Sequence, residues 1–151
     1  TACIFRSRKS TFISINHNKT MKHNFIGITL LFMALATNSC GKTKSPQVEK
    51  FHGTEAYALV EAVNDEDTTR IKDIANQHLY ILNLPNLKDG EPAISVAVQL
   101  DKFDSFCALL NSGADPNLSG FKAGTSAADY AKLRAREGDS RYIDAIKAAV
   151  R

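Results

Sequence analysis

From Ala56 onward the apolar residues recur at three- and four-residue steps, the spacing of a helix with one buried face. Ala56, Leu59, Val60 and Val63 make a first stripe, and Ile71, Ile74 and Ala75 make a second. Between them Asn64-Asp65-Glu66-Asp67 offers a polar turn and an N-cap. Leu79 to Leu84 fits neither helix nor strand periodicity decisively. Asp89-Gly90 marks a turn, because glycine takes positive φ at no steric cost. Pro92 suits the first turn of the next helix, where its missing N–H costs nothing. Ile94, Ala97 and Val98 then face one way, and Phe103, Phe106, Leu109 and Leu110 supply a further stripe. Gly113 is placed to end that helix in a left-handed cap, and Asp115-Pro116-Asn117 forces an extended turn. Tyr142, Ile143, Ile146 and Val150 form a last helix, with Asp139 or Ser140 as its N-cap. The expectation is an all-α fold. By itself this periodicity fits any small helical bundle.

At 151 residues the chain has room for one domain. Residues 40–52 are expected to form a flexible tether, since Gly41 to about Lys50 is polar and poor in apolar residues. The folded domain is expected over 53–151. Lys and Arg outnumber Asp and Glu by 19 to 16, but no acidic residue precedes Glu49. Without Thr1 to Ser39 the balance is 14 basic against 16 acidic. The basic excess therefore belongs to the leading segment, and the folded part carries no sign of a nucleic-acid-binding face.

Met21 opens a recognisable pattern: Lys22 and His23, then an apolar run from Phe25 to Ala36, then Thr37-Asn38-Ser39 and Cys40-Gly41. The run is about a dozen residues, short for a membrane-spanning helix. Residues 21–39 resemble a bacterial lipoprotein signal peptide, with Ser39 before the cleaved bond and Cys40 as the lipid-modified first residue. Thr37 stands where that pattern has Leu. The resemblance implies a membrane-anchored lipoprotein of the bacterial cell envelope. Lys42 and Lys44, in place of an acidic run, favour one that faces the periplasm. An ordinary secretory signal with an incidental cysteine, or an uncleaved anchor, fits the same residues. Residues 1–20 are rich in Ser, Thr, Asn and basic residues and would bury the signal inside the chain. They read as a disordered gene-model extension, with Met21 as the true start. That leaves Cys107 as the one cysteine of the folded part, expected to be inert unless, in an exported protein, it pairs with a partner.

Asp89 to Asn117 resembles an ankyrin repeat. Gly90 fills the turn, Pro92-Ala93-Ile94-Ser95-Val96-Ala97 stands for the first-helix signature, and Gly113-Ala114-Asp115-Pro116-Asn117 matches the closing signature. Gly124-Thr125-Ser126-Ala127-Ala128-Asp129-Tyr130-Ala131 resembles the form found in final repeats. Ala97 to Ala131 is a step of 34, against about 33 for the family. A degenerate copy precedes, with Leu59, Ala62, Ile71 and Ile74 at matching offsets but His78-Leu79-Tyr80 in place of the closing signature. The resemblance implies a stack of about three helix-turn-helix repeats, the outer two being degenerate caps.

No active-site pattern accompanies these helices. His52 and His78 sit in no metal spacing, and Ser126 with Asp129 has no nearby base and reads better as a helix start. Asp65-Glu66-Asp67 lacks the calcium-loop pattern. Neither a cofactor, a metal, a nucleic acid nor a small-molecule substrate is indicated, and the chain is expected not to be an enzyme. The ankyrin resemblance implies a protein-binding module that works through turn tips and first helices. Carried onto this chain, the partner-binding candidates are Leu118, Phe121 and Lys122 at the later turn, and Lys88, Glu91, Gln99 and Leu100 nearer the middle. The expected function is a lipid-anchored adaptor that captures a protein partner in the envelope. An inhibitor or immunity-type protein blocking an envelope enzyme is the related alternative, and a small envelope enzyme or metal-dependent protein the remote one.

Overall fold

The computed structural model describes residues 44–122 and 124–149. The lipoprotein-like leader, Cys40 and Val150 lie outside them. The described chain runs through α1 (Pro46–Glu49), α2 (Tyr57–Asp65), α3 (Thr68–Gln77), a 3-10 turn (Leu79–Asn83), α4 (Ala93–Gln99), α5 (Phe103–Asn111), α6 (Ala127–Arg136) and α7 (Arg141–Ala149). The fold is all-α. Extended pairing among the described residues is confined to two isolated antiparallel bridges, Pro85 with Pro92 and Ser119 with Ser126.

The helices pack as three successive pairs: α2 with α3, α4 with α5, α6 with α7. First helices touch first helices, α2 against α4 and α4 against α6, and second helices follow suit, α3 against α5 and α5 against α7. The turn inside each pair is built the same way each time. Asp67 N–H donates to Ala62 O at 2.9 Å, Lys102 N–H to Ala97 O at 2.8 Å, and Asp139 N–H to Arg134 O at 2.9 Å. One left-handed residue lies just before each donor: Glu66 (φ 55), Asp101 (φ 56) and Gly138 (φ 99). Each bond closes over a residue with positive φ and satisfies a carbonyl that the helix end leaves free.

One continuous core runs from Val48 to Ile146, with Ile94 and Phe106 both in it and fully buried. Helix α4 lies between α2 and α6 and on α5, so every residue from Ala93 to Val98 is buried. A helix covered on all sides must be small and apolar throughout, and Ala93-Ile94-Ser95-Val96-Ala97-Val98 meets that condition. Tyr142 of α7 is fully buried against α5, edge-on to Phe103 and Phe106 at ring separations of 5.2 and 5.0 Å.

Several expectations need correction. The stretch expected as a tether is folded from Pro46: Val48 and Phe51 are buried members of the core. Ser45 caps the turn, accepting from Gln47 N–H at 3.3 Å, and Pro46 suits its start. Two apolar residues three apart share one face, and that is enough to seat a short turn on an existing core. Pro92 is extended (φ −81, ψ 164) at the N-cap of α4, outside the first turn, because it is bridged to Pro85. Leu79 to Leu84 resolves into a 3-10 turn anchored by buried Ile81 and Leu82. Cys107 is buried in α5 and disulfide-bonded, in place of the inert thiol. The cap expected at Gly113 is present, with φ 101 and Ala114 N–H donating to Leu109 O at 3.0 Å.

Candidate partner-binding surface

The loops joining one helix pair to the next are two hairpin turns closed by equivalent bonds, 34 residues apart. In the first, Asn86 N–H donates to Glu91 O at 3.0 Å and Gly90 N–H to Asn86 O at 3.2 Å. In the second, Gly120 N–H donates to Thr125 O at 3.4 Å and Gly124 N–H to Gly120 O at 2.9 Å. Gly90 (φ 82) and Gly124 (φ 60) take the left-handed conformation that both turns require.

The first hairpin is held by its own side chains. Asn86 is buried, and its Oδ1 accepts from Lys88 N–H at 2.8 Å and Asp89 N–H at 2.9 Å. Its Nδ2 donates to Glu91 O at 3.1 Å and to the Asp89 carboxylate. Lys50 Nζ meets Asp89 Oδ2 at 2.6 Å and ties the end of α1 to the turn. Burial alone would raise the Asp89 pKa, but the Lys50 ammonium and the Asn86 amide outweigh it and hold the carboxyl below its ordinary value. Glu91 points inward. Its carboxylate accepts from Tyr130 Oη at 2.7 Å and from Gln99 Nε2 at 3.0 Å, joining the hairpin to α6 and α4. Burial, with the Glu91 carboxylate beside it, pushes the Tyr130 hydroxyl up to about 12.

The second hairpin leans on the first. Lys122 N–H donates to Asp89 O at 3.2 Å. The Phe121 ring lies over Gly90, so close that a Cβ there would sit 2.6 Å from its Cε1 and 2.7 Å from the Phe121 backbone nitrogen. A Cβ on Gly120 would meet Asp89 O at 2.8 Å. Both glycines are therefore required by contact between the turns. Beyond the hairpin, Ser126 and Asp129 form a capping box: Asp129 N–H donates to Ser126 Oγ at 3.2 Å and Ser126 N–H to Asp129 Oδ2 at 3.2 Å. Lys132 and then Ser126 bring the Asp129 pKa down to about 2.

Of the residues proposed from sequence, Lys88, Phe121 and Lys122 are exposed at the hairpin tips. Gln99, Leu100 and Leu118 are half-buried, with Gln99 engaged by Glu91 and Leu100 packed on the core. Glu91 is buried and organises the turn, with Tyr130, Gln99 and, at 4.0 Å, the Lys50 ammonium around its carboxylate in place of solvent. One residue was overlooked: Leu87, 75 % exposed, matches Phe121, 68 % exposed, at the 34-residue step. That step was readable from Ala97 and Ala131, and applying it to Phe121 would have found Leu87. Among the described residues no group of three His, Cys, Asp or Glu side chains converges as a metal site would need. Contact recognition is what apolar and cationic tips can do chemically. Compared with protein-family models, with curated proteins and with solved structures, the chain matches none.

Proposed function

We propose that residues 46–149 form an ankyrin-type repeat stack that binds a protein partner through its hairpin tips, on a chain anchored by lipid at Cys40 in the bacterial envelope. The observation that carries the binding reading is the pair Leu87 and Phe121, large apolar side chains standing in solvent at equivalent places on adjacent turns. Covering such a side chain contributes about 1.5–3 kcal/mol, the size of an interface anchor. The repeat reading is supported by the three identically closed pair turns, the two rows of helices and the 34-residue step between hairpins. Support for the anchor is the leader pattern ending in Ser39-Cys40.

A photo-crosslinking amino acid placed at position 87 or 121 in the native cell should capture one discrete protein, while the same group at exposed Arg136 on α6 should not. Capture at 136 alone would exclude the tips. For the anchor, Cys40→Ala should release the protein into the soluble fraction or leave its precursor unprocessed. Unchanged processing with full membrane retention would rule out lipid at Cys40.

A further inference from the structure

The two tips repeat a dipeptide as well as a backbone: Leu87-Lys88 on one, Phe121-Lys122 on the next, at the same register. All four residues are exposed, and the turns that carry them are in direct contact through Lys122 N–H and Asp89 O. No ion pair of either ammonium is found among the described residues, although the chain from Cys40 on is slightly acidic. The acidic groups of the turns are already committed. Asp89 is paired with Lys50, and Glu91 is buried against Tyr130 and Gln99. What faces outward is an apolar residue followed by a cation, twice over.

From this we infer that the tips receive an extended acidic segment of the partner protein, with apolar side chains seated on Leu87 and Phe121 and carboxylates on Lys88 and Lys122. The inference rests on the protein-binding reading above and adds the chemistry of the partner. An extended segment suits the site because it can run across two adjacent turns and present side chains to each. Exposed cations of this kind set the choice and the rate of association more than its strength, so the interaction should weaken with salt.

The test uses the purified full-length chain and two labelled libraries of extended dodecapeptides, one with apolar and acidic residues mixed at every position and one with apolar and basic. Fluorescence anisotropy should show binding from the acidic library only. Lys88→Glu with Lys122→Glu should weaken that binding by about tenfold or more and turn preference to the basic library. Leu87→Ser with Phe121→Ser should abolish it, while circular dichroism confirms that both variants remain folded. No binding from the acidic library, or binding indifferent to the Lys88 and Lys122 reversals, overturns the inference. So does adhesion of the chain to phosphatidylglycerol vesicles, lost in the Leu87 and Phe121 variant, without peptide binding: the tips would then meet lipid. A partner crosslinked at position 121 through a segment without acidic residues would sink the acidic assignment and leave the protein-binding reading standing. Failure of crosslinking at both tips would remove that reading itself.

Discussion

In the first hairpin Asn86 carries four hydrogen bonds from a buried side chain, and Asp89 and Glu91 extend the network to α1, α4 and α6. At the matching place in the second, 34 residues on, stands Gly120, with no side chain at all. Yet the two turns close with equivalent bonds. The second turn substitutes a neighbour for a network: Phe121 lies on Gly90, Lys122 N–H bonds to Asp89, and Gly120 is small enough to let them approach. Contact between the two turns permits this asymmetry, because the second is stabilised in part by the first. Order should therefore pass from the first turn to the second and not the reverse.

The strongest test is Asn86→Ala. Removing one side chain leaves the part-buried N–H groups of Lys88 and Asp89 without their acceptor and opens the space it fills, and urea unfolding should show a loss of about 2–3 kcal/mol. A loss below about 0.5 kcal/mol would mean that the network is ornamental. Next come the two equivalent glycines. Gly90→Ala should cost about 2 kcal/mol, combining positive φ with displacement of Phe121, whereas Gly124→Ala should cost about 1 kcal/mol, from φ alone. Equal losses would break the proposed dependence of one turn on the other. Ser126→Ala removes the capping box of α6, and a loss of about 1 kcal/mol in thermal unfolding is expected.

The smallest effects are those of pH. Asp89 and Asp129 are both held below the ordinary carboxylate value, so the folded state binds their protons more weakly than the unfolded chain. Their stabilisation is complete above about pH 4 and is lost as pH falls below it, for Asp129 as pH approaches about 2. Tyr130 has the opposite sign. With its pKa raised to about 12 against about 10 in an unfolded chain, its contribution is complete below about pH 10 and is lost as pH rises to about 12. Urea midpoints measured across both ranges should fall at each end, and Tyr130→Phe should flatten the alkaline limb. An alkaline limb unchanged by Tyr130→Phe would show that the Glu91 contact is not maintained in solution.

Much of this architecture was legible beforehand. Leu59, Val60 and Val63, or Phe106, Leu109 and Leu110, announce their helices by spacing alone, and all six are buried. Gly113 announced its cap because few residues other than glycine adopt φ near 100°. Val48 and Phe51 were missed since two apolar residues in a polar stretch make no periodicity, and only a core to which α2 already contributes gives them somewhere to pack. Glu91 was placed outside because a charged residue beside a turn is usually solvated, and nothing near it in the chain reveals Tyr130 as its partner.

The chain's local pattern determined where helices begin, where they stop and which face of each is apolar, for these depend on residues three to five positions apart. Tertiary structure decided which polar groups are covered and which apolar ones are left in water. Asn86 is covered, as is Glu91, while Leu87 and Phe121 stand clear of the core. Those outcomes depend on elements about 30 to 40 residues apart meeting in space, and such meetings stabilise a side chain only after the stack has formed.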